Sequence, residues 1–142
     1  YVWKGLRIMG LGGSIRYNRE ETFQYTEQEM RRRMRRLWFK AHRAGGIDLL
    51  LTHSPAAGLN DGNDRAHKGF ACFNDLLEEY QPKWFVHGHV HLSYNANLPR
   101  VCTHGQTTVI NATERYTFEI PDPDPVARKR FFWNDPAFPT KN

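Results

Sequence analysis

Three of the chain's seven histidines fall in one short stretch: "FVHGHVH", residues 85–91, sets His87, His89 and His91 at alternate positions around Gly88. In an extended backbone alternate side chains project from one face, roughly 6.6 Å apart along the strand. Imidazoles so spaced can reach one metal ion or two neighbouring ions, because neutral imidazole is a common ligand and Zn–N bonds are about 2.0–2.1 Å. A solvated histidine cluster with no ligand is the plainer alternative. What decides between them is a further ligand, and the chain offers one in "IDLLLTHSP", where a short apolar run ends in His53. Other metal chemistries fit poorly. Cys72 and Cys102 are too few and too far apart for a cysteine zinc site or a disulfide framework, and read as buried free thiols. "DGND", residues 61–64, has turn composition but lacks the alternating ligands and closing Glu of a calcium loop.

These histidines can act together only if the elements carrying them end at one place. "LRIMGLG" (6–12) reads as a buried strand running into a glycine turn, and "IDLLLTH" as a central strand covered on both faces. Thr26 to Glu29 form a capping box that opens a helix expected to run to Ala44 and stop at Gly45-Gly46. Residues 54–68, dense in Pro, Gly, Asn and Asp, are a loop. A second helix spans 69–80, with Phe70, Phe73, Leu76, Leu77 and Tyr80 on one stripe. "KWFVHGH" is the next strand, and "RVCTH", "TTVINAT" and "RYTFEI" are three more strand-like runs ending the fold in an antiparallel tail. Strand, helix, strand, helix, strand is the order of an α/β layered fold. Such sheets build sites outside the carboxyl ends of their strands. His53 and the histidine triplet, one helix apart, are therefore expected to converge.

At 142 residues the chain is one domain. Its 39% hydrophobic and 25% charged content is that of a globular protein, and no apolar run approaches the ~20 residues of a membrane span. Residues 1–120 are expected to fold together, with 121–142 a proline-rich tail. The opening "YVWKG" has no basic or apolar leader pattern, so a cytoplasmic setting is expected and the sequence reads as part of a longer protein. By the same pattern Asn111-Ala112-Thr113, a formal glycosylation triplet, is expected to be unmodified.

The net charge of +5 is concentrated in "EMRRRMRRLWFKAHR", which carries Arg31, Arg32, Arg33, Arg35, Arg36, Lys40 and Arg43. Met30, Met34, Leu37, Trp38 and Ala41 recur as the buried stripe of an amphipathic helix, which puts the arginines on its outer face. A solvated face is the favoured reading. Binding of nucleic-acid phosphates is the alternative.

"THSP" followed by "GHVH" resembles the C-terminal half of the calcineurin-like metallophosphoesterases, and "GLRIMGLGGSIRYN" is similar to the strand after that family's Asn-bearing motif. "DGNDRAHKGF" resembles a loop of a bacterial cytosolic branch. The resemblance covers residues 5–120. It implies part of a four-layer α-β-β-α sandwich and hydrolysis of a phosphomonoester or phosphodiester with two divalent metal ions, Mn, Fe or Zn. Carried over, His53 and His89 ligate one metal and His91 the other, while His87 has no ligand role. His67 either contacts the substrate phosphate or bonds within its loop. The family's Asp-x-His, Gly-Asp and Gly-Asn-His motifs are absent upstream of His53. The resemblance thus implies that the N-terminal half of the domain is missing, and that this chain alone is inactive. The competing function is a non-catalytic metal- or nucleic-acid-binding module built on the Arg-rich helix.

Overall fold

A computed structural model describes residues 1–18, 22–93 and 98–121. The expected tail thus lies outside the described residues from 122 onward. In chain order the elements are β1 (Val2–Trp3), β2 (Leu6–Leu11), β3 (Ser14–Ile15), β4 (Gln24–Tyr25), α1 (Glu27–Arg43), β5 (Leu49–Thr52), α2 (Ala71–Tyr80), β6 (Trp84–His87), β7 (Val101–His104) and β8 (Thr107–Asn111). The main sheet has the order β1-β2-β5-β6-β8-β7, and β3 pairs with β4. β2, β5, β6 and β8 run parallel, while β1 and β7 are antiparallel edges.

α1 starts and stops where its sequence says. Thr26 Oγ1 accepts from the Glu29 N–H at 3.2 Å, and the Glu29 carboxylate accepts from the Thr26 N–H at 2.7 Å. At the other end Gly45 and Gly46 take positive φ of 76° and 122°. Their N–H groups return to His42 O and Ala41 O, the double bond of a Schellman stop. α2 has no side-chain cap of its own, its N-cap being Phe70. Glu27 of α1 supplies one from across the helix interface: its carboxylate accepts from Ala71 N–H at 3.1 Å and Cys72 N–H at 2.6 Å.

Two successive strand–helix–strand steps move the same way along the sheet, β2 to β5 and β5 to β6. Right-handed crossovers in one direction place both helices on one face. That face holds the main core: Met30, Met34 and Ala41 of α1, Phe73, Leu76 and Leu77 of α2, and Met9, Leu50, Phe85 and Val109 of the sheet. The opposite face carries a smaller cluster of Leu6, Leu49, Val86 and Ile110. One helical layer on one main sheet is the α/β part of the expected architecture.

Four expectations need correction. The closing strands are an antiparallel tail only in part: β7 is antiparallel to β8, but β8 itself joins the sheet parallel to β6. β5 is covered on both faces only in part, since Leu51 is 47% exposed. "RYTFEI" is not a strand. The chain turns at Glu114, whose φ of 70° is left-handed, and the extended segment then lays Phe118 and Ile120 against the smaller cluster. Its alternation of apolar residues is satisfied by packing on a sheet face rather than by pairing at an edge. Finally, Trp38 is not on the buried stripe. It is 37% exposed, and its indole N–H donates to Glu79 at 2.7 Å.

Candidate metal-ligating site

β5 and β6 are hydrogen-bonded neighbours, with Leu49 opposite Trp84 and Leu51 opposite Val86. Pairing continues past their ends, because the Gly88 N–H donates to His53 O at 3.0 Å. His53 and His89, 36 positions apart in the chain, are thereby brought together: His53 Nε2 lies 3.1 Å from His89 Nδ1. The ring centroids are 4.7 Å apart at 55°. This is the convergence of two strand ends expected from the order of elements.

His89 is held in a backbone conformation that side chains other than glycine rarely adopt, with φ of 68°. Such a residue costs on the order of 1–3 kcal/mol and persists only where its surroundings impose it. Here the next residue is clamped. The Val90 carbonyl accepts from Asn111 Nδ2 at 2.8 Å and from Thr113 Oγ1 at 3.1 Å, both at the end of β8. Asn111 Oδ1 in turn accepts from the Thr113 N–H at 3.0 Å. The ring is fixed as well, because His89 Nε2 lies 2.8 Å from the Ala66 carbonyl. A carbonyl oxygen only accepts, so Nε2 carries the hydrogen and Nδ1 turns its lone pair toward His53.

Burial lowers the pKa of His53 and of His89. For His89 the hydrogen bond to Ala66 acts against this, and the neighbouring His53, His67 and His91 depress it further. Both rings are thus neutral near pH 7, the state in which imidazole is a ligand. His91 follows at the surface, exposed. His67 stands beside the pair, its ring 5.2 Å from that of His89. Its Nδ1 donates to the Asp64 carboxylate at 2.8 Å, so of the two readings of His67 the bond within its own loop is formed. His87 is apart from this group. It is buried beside Phe85, its Nδ1 donates to Gly88 O at 3.1 Å, and burial drops its pKa to about 4.

The fit to metal is partial. Two nitrogens bound to one ion at about 2.0–2.1 Å stand roughly 2.9 Å apart at a right angle and roughly 3.3 Å apart at a tetrahedral angle. The observed 3.1 Å lies between these values. Among the described residues, however, no group of three His, Cys, Asp or Glu side chains is arranged to hold a metal ion. The described residues therefore fit an imidazole pair for one ion, and do not by themselves fit a two-metal centre.

Sequence reasoning missed Asn111, Thr113 and the Ala66 carbonyl. The signal for the first two was the pair of polar residues, Asn111 and Thr113, that follows the apolar Val109-Ile110 in "TTVINAT". Asn111 is 0% exposed in the fold, which makes the formal glycosylation triplet a buried clamp.

No family model matches the chain. Among curated proteins, the UPF0046 protein C25E10.12 of Caenorhabditis elegans is 38% identical over 73 residues, 46% of this chain and 24% of the relative. Metallophosphoesterase domain-containing protein 1 of Homo sapiens is 32% identical over 71 residues, 48% of this chain and 20% of the relative. The chain thus spans less than a quarter of the length of these relatives. A solved crystal structure aligns with a TM-score of 0.55 over 80% of this chain and 43% of the other, at 19% identity, a likeness of fold alone. Over about half its length, then, this chain is similar to proteins named as containing a metallophosphoesterase domain.

Proposed function

We propose that this chain is part of a metal-dependent phosphoester hydrolase, in which His53 and His89 bind one divalent ion and His91 a second. The observation that carries the reading is the 3.1 Å approach of His53 Nε2 to His89 Nδ1 at the carboxyl ends of adjacent parallel strands. Partial similarity to metallophosphoesterase domain-containing proteins supports the reaction class. A divalent ion held here would polarise a phosphoryl oxygen and make water a better nucleophile. The chain's own residues present neutral nitrogens, keep His89 in one tautomer and hold its backbone in place. His67, with Nδ1 tied to Asp64, stands where it can face a phosphate bound beside the pair. Carboxylates that would offset the repulsion of two cations are not assembled with these histidines among the described residues. The reading therefore places them elsewhere in a longer catalytic unit, together with the choice of mono- or diester, of Mn, Fe or Zn, and of a bacterial cytoplasmic type.

Titration with Co²⁺ followed by visible absorption tests the ligand pair. Wild type should show a saturable Co²⁺ spectrum, and His53→Ala and His89→Ala should each weaken binding at least ~10-fold. Equal affinity in wild type and both variants would sink the assignment. The competing nucleic-acid reading draws on the exposed Arg32, Arg35 and Arg36 of α1. It predicts salt-dependent binding to nucleic acid that is indifferent to His53 and His89.

A further inference from the structure

Residues 61–69 close on themselves in a way their composition alone does not require. Asp64 Oδ1 accepts from the backbone N–H of Ala66 at 3.0 Å and of His67 at 3.1 Å, and its carboxylate also takes His67 Nδ1. The His67 carbonyl accepts from the Gly62 N–H at 2.8 Å, and Asp61 accepts from the Gly69 N–H at 3.1 Å. The turn is tight enough that a Cβ on Gly62 would sit 2.5 Å from the His67 Cβ. It presents two groups to the histidine pair: the His67 ring, 5.2 Å from that of His89, and the Ala66 carbonyl, which is hydrogen-bonded to His89 Nε2 at 2.8 Å.

We propose that Asp64 is a positioning residue for His89: by closing the 64–67 turn it aims the Ala66 carbonyl at His89 Nε2, which holds the ring as the Nε2–H tautomer with Nδ1 open toward His53. An imidazole hydrogen-bonded through one nitrogen has its tautomer and orientation set for whatever the other nitrogen binds. Free imidazole has no comparable constraint, and the opposite tautomer would put a hydrogen on Nδ1, where a cation or the His53 N–H must approach. The choice of aspartate follows from the three donors that converge on it, two backbone N–H groups and one ring N–H. The inference rests on the proposed ligand role of His89 for its purpose, but not for its structural content.

Long-range ¹H–¹⁵N NMR of the histidine rings in the metal-free chain reads the tautomer directly, and Co²⁺ titration reads its consequence. Wild type should show His89 as the Nε2–H form. In Asp64→Ala the two His89 tautomers should both be populated, and Co²⁺ affinity should fall by about 10–100-fold, the usual cost of losing such an outer partner. Asp64→Asn keeps an oxygen for the two backbone donors and should remain within a few-fold of wild type. Gly62→Ala, which keeps the carboxylate but forces the turn open, should resemble Asp64→Ala. An unchanged His89 tautomer in both Asp64→Ala and Gly62→Ala would overturn the proposal. So would an Asp64→Asn effect as large as that of Asp64→Ala, since charge rather than the turn would then be responsible. If wild type bound no Co²⁺, the ligand reading would fail while the tautomer measurement still decided this one.

Discussion

Asn111→Ala tests whether the left-handed His89 is imposed by the clamp at the end of β8. The substitution removes two hydrogen bonds in a fully buried position, Nδ2 to Val90 O and Thr113 N–H to Oδ1. Their consequences differ. Val90 O keeps its second donor, Thr113 Oγ1, so the first loss costs about 1 kcal/mol. The buried Thr113 N–H loses the acceptor that Asn111 gave it, and an orphaned donor costs about 1–3 kcal/mol. The sum, about 2–4 kcal/mol, is a large share of the roughly 5–15 kcal/mol that stabilises a domain. At roughly 3–5 °C per kcal/mol for a chain of this size, the melting temperature should fall by roughly 6–20 °C. Thr113→Ala alone should cost about 1 kcal/mol, because Asn111 still serves the carbonyl. The double variant should cost about 1 kcal/mol more than the sum, since Val90 O then loses both donors. Urea denaturation of the four proteins measures the cycle. A loss below about 1 kcal/mol for Asn111→Ala, or strict additivity in the double variant, would refute the clamp.

Other outcomes follow from the same structure. Glu27→Ala removes the borrowed cap of α2 and should cost about 1–2 kcal/mol in urea, whereas Glu78→Ala, exposed on the same helix, should change stability by less than about 0.5 kcal/mol. His87 is buried neutral with its pKa lowered from 6.5 to about 4, so its contribution to stability is complete above pH 6.5 and is lost as pH falls toward 4. His87→Asn, whose amide can reproduce the bond to Gly88 O, should flatten that part of the stability–pH profile, and an unchanged slope would exclude His87 as its source. Joint replacement of Arg32, Arg35 and Arg36 by Gln should leave the melting temperature within a few degrees of wild type, as their side chains lie on the solvated face of α1.

Local patterns carried much of the fold. The capping box at Thr26 and the glycine pair at 45–46 delimit α1 because those residues satisfy, or release, backbone groups within a few positions of themselves. Alternation and apolar runs located β2, β5, β6 and β8, and the order of elements brought His53 to His89, since a right-handed crossover leaves few other arrangements. Partners distant in sequence were decided by tertiary structure. Nothing near Phe70 announces that α2 is capped from α1 by Glu27, and nothing in "RYTFEI" distinguishes pairing at an edge from lying across a face. The left-handed His89, its clamp by Asn111 and Thr113, and its tautomer under the Ala66 carbonyl each depend on groups more than twenty positions away. Residue types can nominate an imidazole as a ligand. Which nitrogen it presents, and in what direction, is set by hydrogen bonds that exist only once three separate segments have packed together.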